Sequence, residues 1–328
     1  KVMHDVQLRL GSSLSPDKGA AKADHIPNAG LKVGKALPLI TPQRVPREDG
    51  VPENFERPKG RLLIFWGCGA KAAKGQPVII DFAKVAQGQM PSGLFSARVP
   101  VDRGPRPSNS RTYGEWPNGK GGKQPGGESS LIGEHRVIGN YTPEMKFTLN
   151  QDFMGPINGR ATGIGGATTL SWNAVPAATG YHAWVMGMKM DQSRQGMGDM
   201  VWWSSSSAKE FGGGLWDWLS PGTVQSLIGQ KIVMPPSQTS CTVPAEVKAA
   251  APDMMMGNLY AYGPEANFAY PPRPATGAWN VDWTARVRYR STTSWMIGGG
   301  MGGMSGAEGQ EKPRCKPSVF GAVLGKGC

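Results

Sequence analysis

From Trp279 to Ser291 the chain reads Trp-Asn-Val-Asp-Trp-Thr-Ala-Arg-Val-Arg-Tyr-Arg-Ser, and this stretch restricts the possible folds more than any other. Trp279, Val281, Trp283, Ala285, Val287 and Tyr289 occupy alternate positions, with Asn280, Asp282, Thr284, Arg286, Arg288 and Arg290 between them. A strand sends successive side chains to opposite faces, so the alternation predicts one long strand with an apolar and a polar face. Such a strand belongs in an antiparallel sheet packed on one side and wetted on the other. The row Arg286, Arg288 and Arg290 then has two readings, a solvated face or an anion-binding surface, and alternating charge favours the solvated face.

The 47 Gly and 28 Pro among 328 residues oppose long helices over most of the chain, which has the length for two cores. Eleven Trp argue for packed interiors, because disordered chains are poor in aromatics. The net charge of +12 is spread along the chain without a lysine-rich run or a basic helix, which argues against specific nucleic-acid recognition. The longest apolar run, Leu62 to Ala70, is too short to span a bilayer, and no signal peptide is visible. A chain that begins at Lys1 reads as one that starts after a processing event or after a further preceding segment. Together with an even cysteine count and turn-rich strands, this predicts an extracytoplasmic location.

Residues 1–59 hold repeated Pro, Gly and Lys and read as an extended N-terminal strap that cannot fold alone. A first β-sandwich, a jelly roll or an immunoglobulin-like fold, is expected over 60–155. Arg61–Trp66 is apolar on both faces and suits a central strand. Pro77–Phe82, Leu94–Val101, His135–Ile138 and Glu144–Leu149 are further strand candidates. Between them, residues 101–132 read as a long Gly/Pro-rich loop. Tyr113 and Trp116, flanked there by arginines, suggest a stacking surface for sugar rings, bases or a partner protein; equally, they can tuck back onto the domain.

A second pattern begins near Ala167. Thr169–Pro176 leads through Ala177-Ala178-Thr179-Gly180 into Tyr181–Val185, Thr239–Pro244 and Asn258–Gly263 follow, and Trp279–Ser291 closes the set. In that order these segments resemble the B, C, E, F and G strands of fibronectin type III-like domains. The resemblance covers roughly 165–297 and implies a sandwich over about 160–298 used as a spacer or a binding module, with no activity attached. Residues 191–238 depart from the family as a long insertion carrying Trp202, Trp203, Trp216 and Trp218. These indoles either roof the sandwich as a satellite core or form an aromatic contact site for carbohydrate or protein. Residues 299–328 form a Gly/Met-rich tail.

The chemical motifs mostly fail. His4, His25, His135 and His182 lack the local spacing of a zinc site, and no nucleophile elbow, P-loop or dinucleotide fingerprint is complete. No catalytic residue is assigned; carboxylates such as Asp81, Glu115, Asp191, Asp199 and Asp217 leave only a glycosidase pair open. Met186, Met188 and Met190 alternate along one strand and would aim three thioethers one way, which raises Cu(I) as an alternative to no cofactor; gap filling is the commoner use of Met. Cys315 and Cys328 are expected to form a disulfide that closes the tail, while Cys68 and Cys241 either pair across the halves or stay buried and free.

The expected protein is all-β, two tandem antiparallel sandwiches, non-catalytic and extracytoplasmic. Its expected role is structural or adhesive, with partners that are further copies of itself or other envelope proteins. Deleting residues 1–59 is then expected to abolish oligomers and leave both sandwiches folded. The alternatives are a polysaccharide-binding module using the loop tryptophans and a copper binder.

Overall fold

The alternating stretch folds as a strand that begins at Trp283 and runs on to Ile297, and Trp283, Ala285, Val287 and Tyr289 face a core. In the computed structural model, which describes residues 5–41, 60–85, 87–89, 94–118, 124–191 and 196–297, the regular elements are mostly strands. In chain order these are β1 (Asp5–Ser12), β2 (Ala23–Ile26), β3 (Leu37–Leu39), β4 (Arg61–Trp66), β5 (Val78–Asp81), β6 (Thr112–Trp116), β7 (Gly133–Gly139) and β8 (Met145–Leu149). Then come β9 (Arg160–Ile164), β10 (Ala167–Ser171), β11 (Gly180–Asp191), β12 (Gly196–Ser204), β13 (Ser240–Val243), β14 (Met254–Tyr270) and β15 (Trp283–Ile297). Three short α-helices, α1 (Phe82–Val85), α2 (Pro221–Gly229) and α3 (Ala245–Ala250), and two 3-10 turns, at Ala29–Leu31 and Gly213–Trp216, complete the described elements.

Among the described residues, eight strands form one sheet in the order β5-β4-β12-β11-β14-β15-β1-β6. Two smaller sheets, β3-β2-β7-β8 and β13-β10-β9, pack on the same face of it, because one continuous apolar cluster joins Leu8, Val185 and Val287 of the large sheet to Phe147, Leu170 and Val243 of the small ones. The protein is therefore all-β and layered. The strand order corrects the expected division into two tandem sandwiches at 155–160. β4, from the first half, pairs in parallel with β12, Leu62 beside Met200 through Trp66 beside Ser204. Arg61–Trp66 is apolar on both faces because it lies between β12 and β5 with clusters above and below it.

The strap is corrected in the same way. Residues 5–12 alternate Val6, Leu8 and Leu10 with Asp5, Gln7 and Arg9, and this segment pairs along β15 on one edge and β6 on the other. β2 and β3 also come from the N-terminal region. Residues 94–101, a strand candidate, run as irregular chain, whereas the expected loop at 101–132 contains β6. The insertion at 191–238 contributes β12 and α2, whose first turn is capped by Ser220 Oγ accepting from Thr223 N at 3.1 Å with Pro221 leading the helix.

Cys68, just past β4, is disulfide-bonded to Cys241 in β13, so the bridge ties the large sheet to a small one. The Cys315–Cys328 pairing lies outside the described residues. Among those residues, no helix is long and apolar enough to cross a membrane.

Candidate functional site

Antiparallel pairing fixes what stands beside each arginine of β15. Arg286 lies opposite Arg9 of β1 and Asn267 of β14, Arg288 opposite Gln7 and Glu265, and Arg290 opposite Asp5 and Tyr262. Two guanidiniums side by side repel, so the ladder requires a carboxylate from elsewhere. Asp102, on the irregular chain laid over this face, supplies it. Its oxygens accept from Arg286 Nη1 at 2.8 Å and Nη2 at 2.6 Å, and from Arg288 at 3.2 Å on each oxygen. Arg9 Nη1 reaches the same carboxylate at 3.4 Å, and Glu265 holds Arg288 Nε at 2.8 Å.

The approach is close enough to demand glycine. A Cβ at Gly104 would stand 1.6 Å from Arg286 Nη1, and the Gly104 N–H in turn donates to Asp102 at 3.1 Å. Burial works to raise the Asp102 pKa, but hydrogen bonds from Arg286 and Gly104 and the charges of Arg288 and Arg286 hold it at about 2. Burial lowers the proton affinity of Arg286, and the bond to Asp102 opposes that.

This geometry corrects the solvated-face reading of the arginine row. Arg286 is only 2% exposed and Arg288 is buried too, so the face is not solvated. Its anions are the protein's own carboxylates. Arg290 is half-buried, paired with Asp5 at 3.0 and 2.9 Å, with its guanidinium carbon 4.2 Å from the Trp218 ring centroid and 4.9 Å from that of Tyr260.

Two clefts open beside this network, sharing Arg103, Gly104 and Asn267 in their walls. One, of about 490 Å³, presents Ser12, Arg103, Asn109, Asn267, Trp279 and Asp282. Trp279 precedes β15 and is 38% exposed, with its indole N–H donating to the Pro271 carbonyl at 2.9 Å. The other, of about 720 Å³, is walled by Asp102, Asp217, Trp218 and Glu265, with the paired arginines at its base. A fixed, partly exposed aromatic ring ringed by amide, hydroxyl, carboxylate and guanidinium groups can stack on a small ring and share hydrogen bonds with its substituents.

The aromatics singled out from sequence occupy other places. Tyr113 and Trp116 are buried in β6; Tyr113 donates to Glu115 at 2.7 Å, and Trp116 packs edge-on to His25. Burial drives the Tyr113 pKa up. Trp202 and Trp203 point to opposite faces of the large sheet and are both buried, donating to the carbonyls of Glu210 and Gly67. Trp216 packs at a tilt against Trp184 and Trp202 in a cluster with Leu94 and Phe211. Trp218 lines the second cleft. Met186 and Met188 lie half-buried on one face of β11; the Met190 side chain lies outside the described residues.

Asp102, Arg103, Asn109 and Trp279 were not legible as a group. Asp102-Arg103-Gly104 carries only a turn signal, and Trp279 was assigned to a strand that starts four residues later. A buried histidine pair was missed too. His25 Nε2 lies 2.9 Å from His135 Nδ1, and His135 Nε2 lies 2.7 Å from the Leu131 carbonyl. That carbonyl only accepts, so His135 Nε2 donates to it, its Nδ1 accepts, and His25 donates across the pair. Both rings are neutral in this arrangement. No family model, no curated protein and no solved structure matches this chain.

Proposed function

We propose that this chain is a non-catalytic, extracytoplasmic binding protein that takes a polysaccharide bearing hydroxyl and acidic groups in the cleft beside Trp279. The observation that carries the reading is the partly exposed Trp279 ring, fixed in place next to Arg103, Asn109 and Asp282. An indole face suits the C–H face of a sugar, amide and carboxylate groups suit its hydroxyls, and an exposed guanidinium suits an acidic substituent. The Cys68–Cys241 bridge supports an oxidising compartment. A fibronectin type III-like module at the heart of the protein is supported by β9-β10-β13 facing β12-β11-β14-β15, the arrangement in which such sandwiches place their strands. On this reading β1, β4, β5 and β6 extend that module, and the clefts lie on the extension.

Calorimetric titration with neutral and uronic-acid-containing oligosaccharides tests the reading. Trp279→Ala is expected to abolish the heat of binding, and Arg103→Ala to weaken only the acidic ligands. Equal binding by wild type and Trp279→Ala would end it.

Self-association is the second reading, favoured by β9. All five of its residues are exposed, among the described residues it pairs on one edge only, and Gly165-Gly166, both at positive φ, turn it onto β10. A second copy pairing along that edge predicts a larger particle by light scattering, returned to monomer by Thr162→Pro. A monomer at every concentration would remove this reading.

A further inference from the structure

The methionines that alternate along β11 have counterparts on every neighbouring strand. Met188 stands directly opposite Met200 of β12 and Met254 of β14; Met186 stands opposite Met256 of β14, which in turn faces Met296 of β15. Directly opposed residues share a face with their Cβ atoms about 5 Å apart, and residues two apart on a strand share a face as well. Six thioethers therefore occupy two adjacent rows on one side of the sheet, with Met186, Met188, Met254 and Met256 at the corners of a square.

Packing explains only part of this block. Met200 is buried in the cluster around Trp202, and Met186 lies against the same cluster. Met188 and Met256 are half-buried, whereas Met254 is 42% exposed and Met296 is 62% exposed. Gap filling gives no reason to put flexible apolar side chains there. The block also lies about 30 Å along β15 from Arg286, so it is independent of the clefts.

We propose that this square is a soft-metal site that takes one Cu(I) ion through the thioethers of Met186, Met188, Met254 and Met256. Thioether sulfur is a soft, neutral ligand that suits a monovalent soft cation, and three rotatable bonds let side chains rooted about 5 Å apart across strands and about 7 Å apart along them converge on one centre. Among the described residues no group of three or more His, Cys, Asp or Glu stands together, so harder divalent ions find no comparable set of ligands there.

The test is anaerobic titration with Cu(I) against a competing chelator, with Ag(I) as an air-stable counterpart, read as metal per chain by native mass spectrometry. The wild-type chain is expected to take up one ion. The Met186→Leu, Met188→Leu, Met254→Leu, Met256→Leu variant is expected to lose at least tenfold in affinity with an unchanged near-ultraviolet dichroism spectrum, since leucine keeps the apolar volume. A second readout needs no variant: bound Ag(I) should protect Met254 and Met256 from peroxide oxidation in peptide maps. Uptake undiminished in the leucine variant, no uptake by the wild type above chelator background, or oxidation unaffected by Ag(I) would each overturn the proposal.

Discussion

Asp102 grips Arg286 with both carboxylate oxygens, at 2.8 and 2.6 Å, across 184 positions of sequence. Arg286 and Arg288 are almost fully buried, so their charges depend mainly on this carboxylate and on Glu265. Asp102→Ala leaves two buried cations short of a partner. Breaking a buried pair from one side costs about 3–5 kcal/mol, and the lower end applies because Asp102 is 33% exposed and partly screened. A fall of about 3 kcal/mol in urea-unfolding stability is expected for Asp102→Ala. Asp199→Ala, which frees the exposed Arg61, should leave the midpoint unchanged.

The histidine pair makes stability acid-sensitive. Burial lowers the pKa of His25 and of His182 from 6.5 to about 3, with the charge of His135 adding to the effect on His25, and burial lowers His135 as well. The unfolded chain binds protons at these rings below pH 6.5 while the folded chain does not. The contribution of His25 and His182 is complete above 6.5 and drains away as the pH falls toward about 3, by about 1.4 kcal/mol per pH unit for each of these two rings, and His135 acts in the same direction. Asp102 acts in the same direction but only from the ordinary carboxylate range near 3.8 down to about 2. Urea midpoints measured from pH 7 to pH 4 should therefore decline first in the histidine window. A flat profile from 7 to 5 would contradict the neutral buried pair.

The sequence carried the strand class well and the partnership of strands poorly. Period-two alternation marked β15, and the apolar run at Arg61–Trp66 marked a central strand, because both signals are local. The same alternation was present in Val6, Leu8 and Leu10 but was hidden among the glycines and prolines of the N-terminal region. Where alternation failed, a long-range contact had decided the outcome. Arg286 and Arg288 look like surface residues until Asp102 folds over them, and nothing near position 286 announces residue 102. The tryptophans misled for a related reason: Trp116 lies in a Gly/Pro-rich stretch and Trp202 in a long insertion, yet both fill the faces of the large sheet. Trp279, read as inward, was left at a cleft because β15 begins only at Trp283.

The disulfide offers a separate measurement. It links residues 173 positions apart and so restricts a long loop of the unfolded chain. Loop entropy for a closure of this length reaches roughly 5 kcal/mol. Cys68→Ser with Cys241→Ser should lower the melting temperature substantially, and a reducing agent should have the same effect on the wild type and little on the double variant. Equal melting of wild type and double variant under oxidising conditions would show that the bridge restricts nothing.

Truncation separates a structural N-terminal region from a detachable one. A strap could be removed from 1–59 with both halves left folded, but β1 lies inside the large sheet, hydrogen-bonded to β15 and β6 on its two edges. Val6, Leu8 and Leu10 are each almost fully buried against β15 and the small sheets. Removing them forfeits roughly 5–8 kcal/mol of apolar burial. It also exposes the ladder edge of β15 and leaves β6 without a partner in the sheet. That loss matches the whole stability of an ordinary domain, about 5–15 kcal/mol. A variant lacking residues 1–12 is therefore expected to lose cooperative thermal unfolding and to be cleaved by protease under conditions in which the full chain survives. Leu8→Ala alone, a cavity in the same layer, should cost about 2–5 kcal/mol and keep the fold. A truncated chain that melts like the full one would mean that β1 is dispensable, contrary to its place in the sheet.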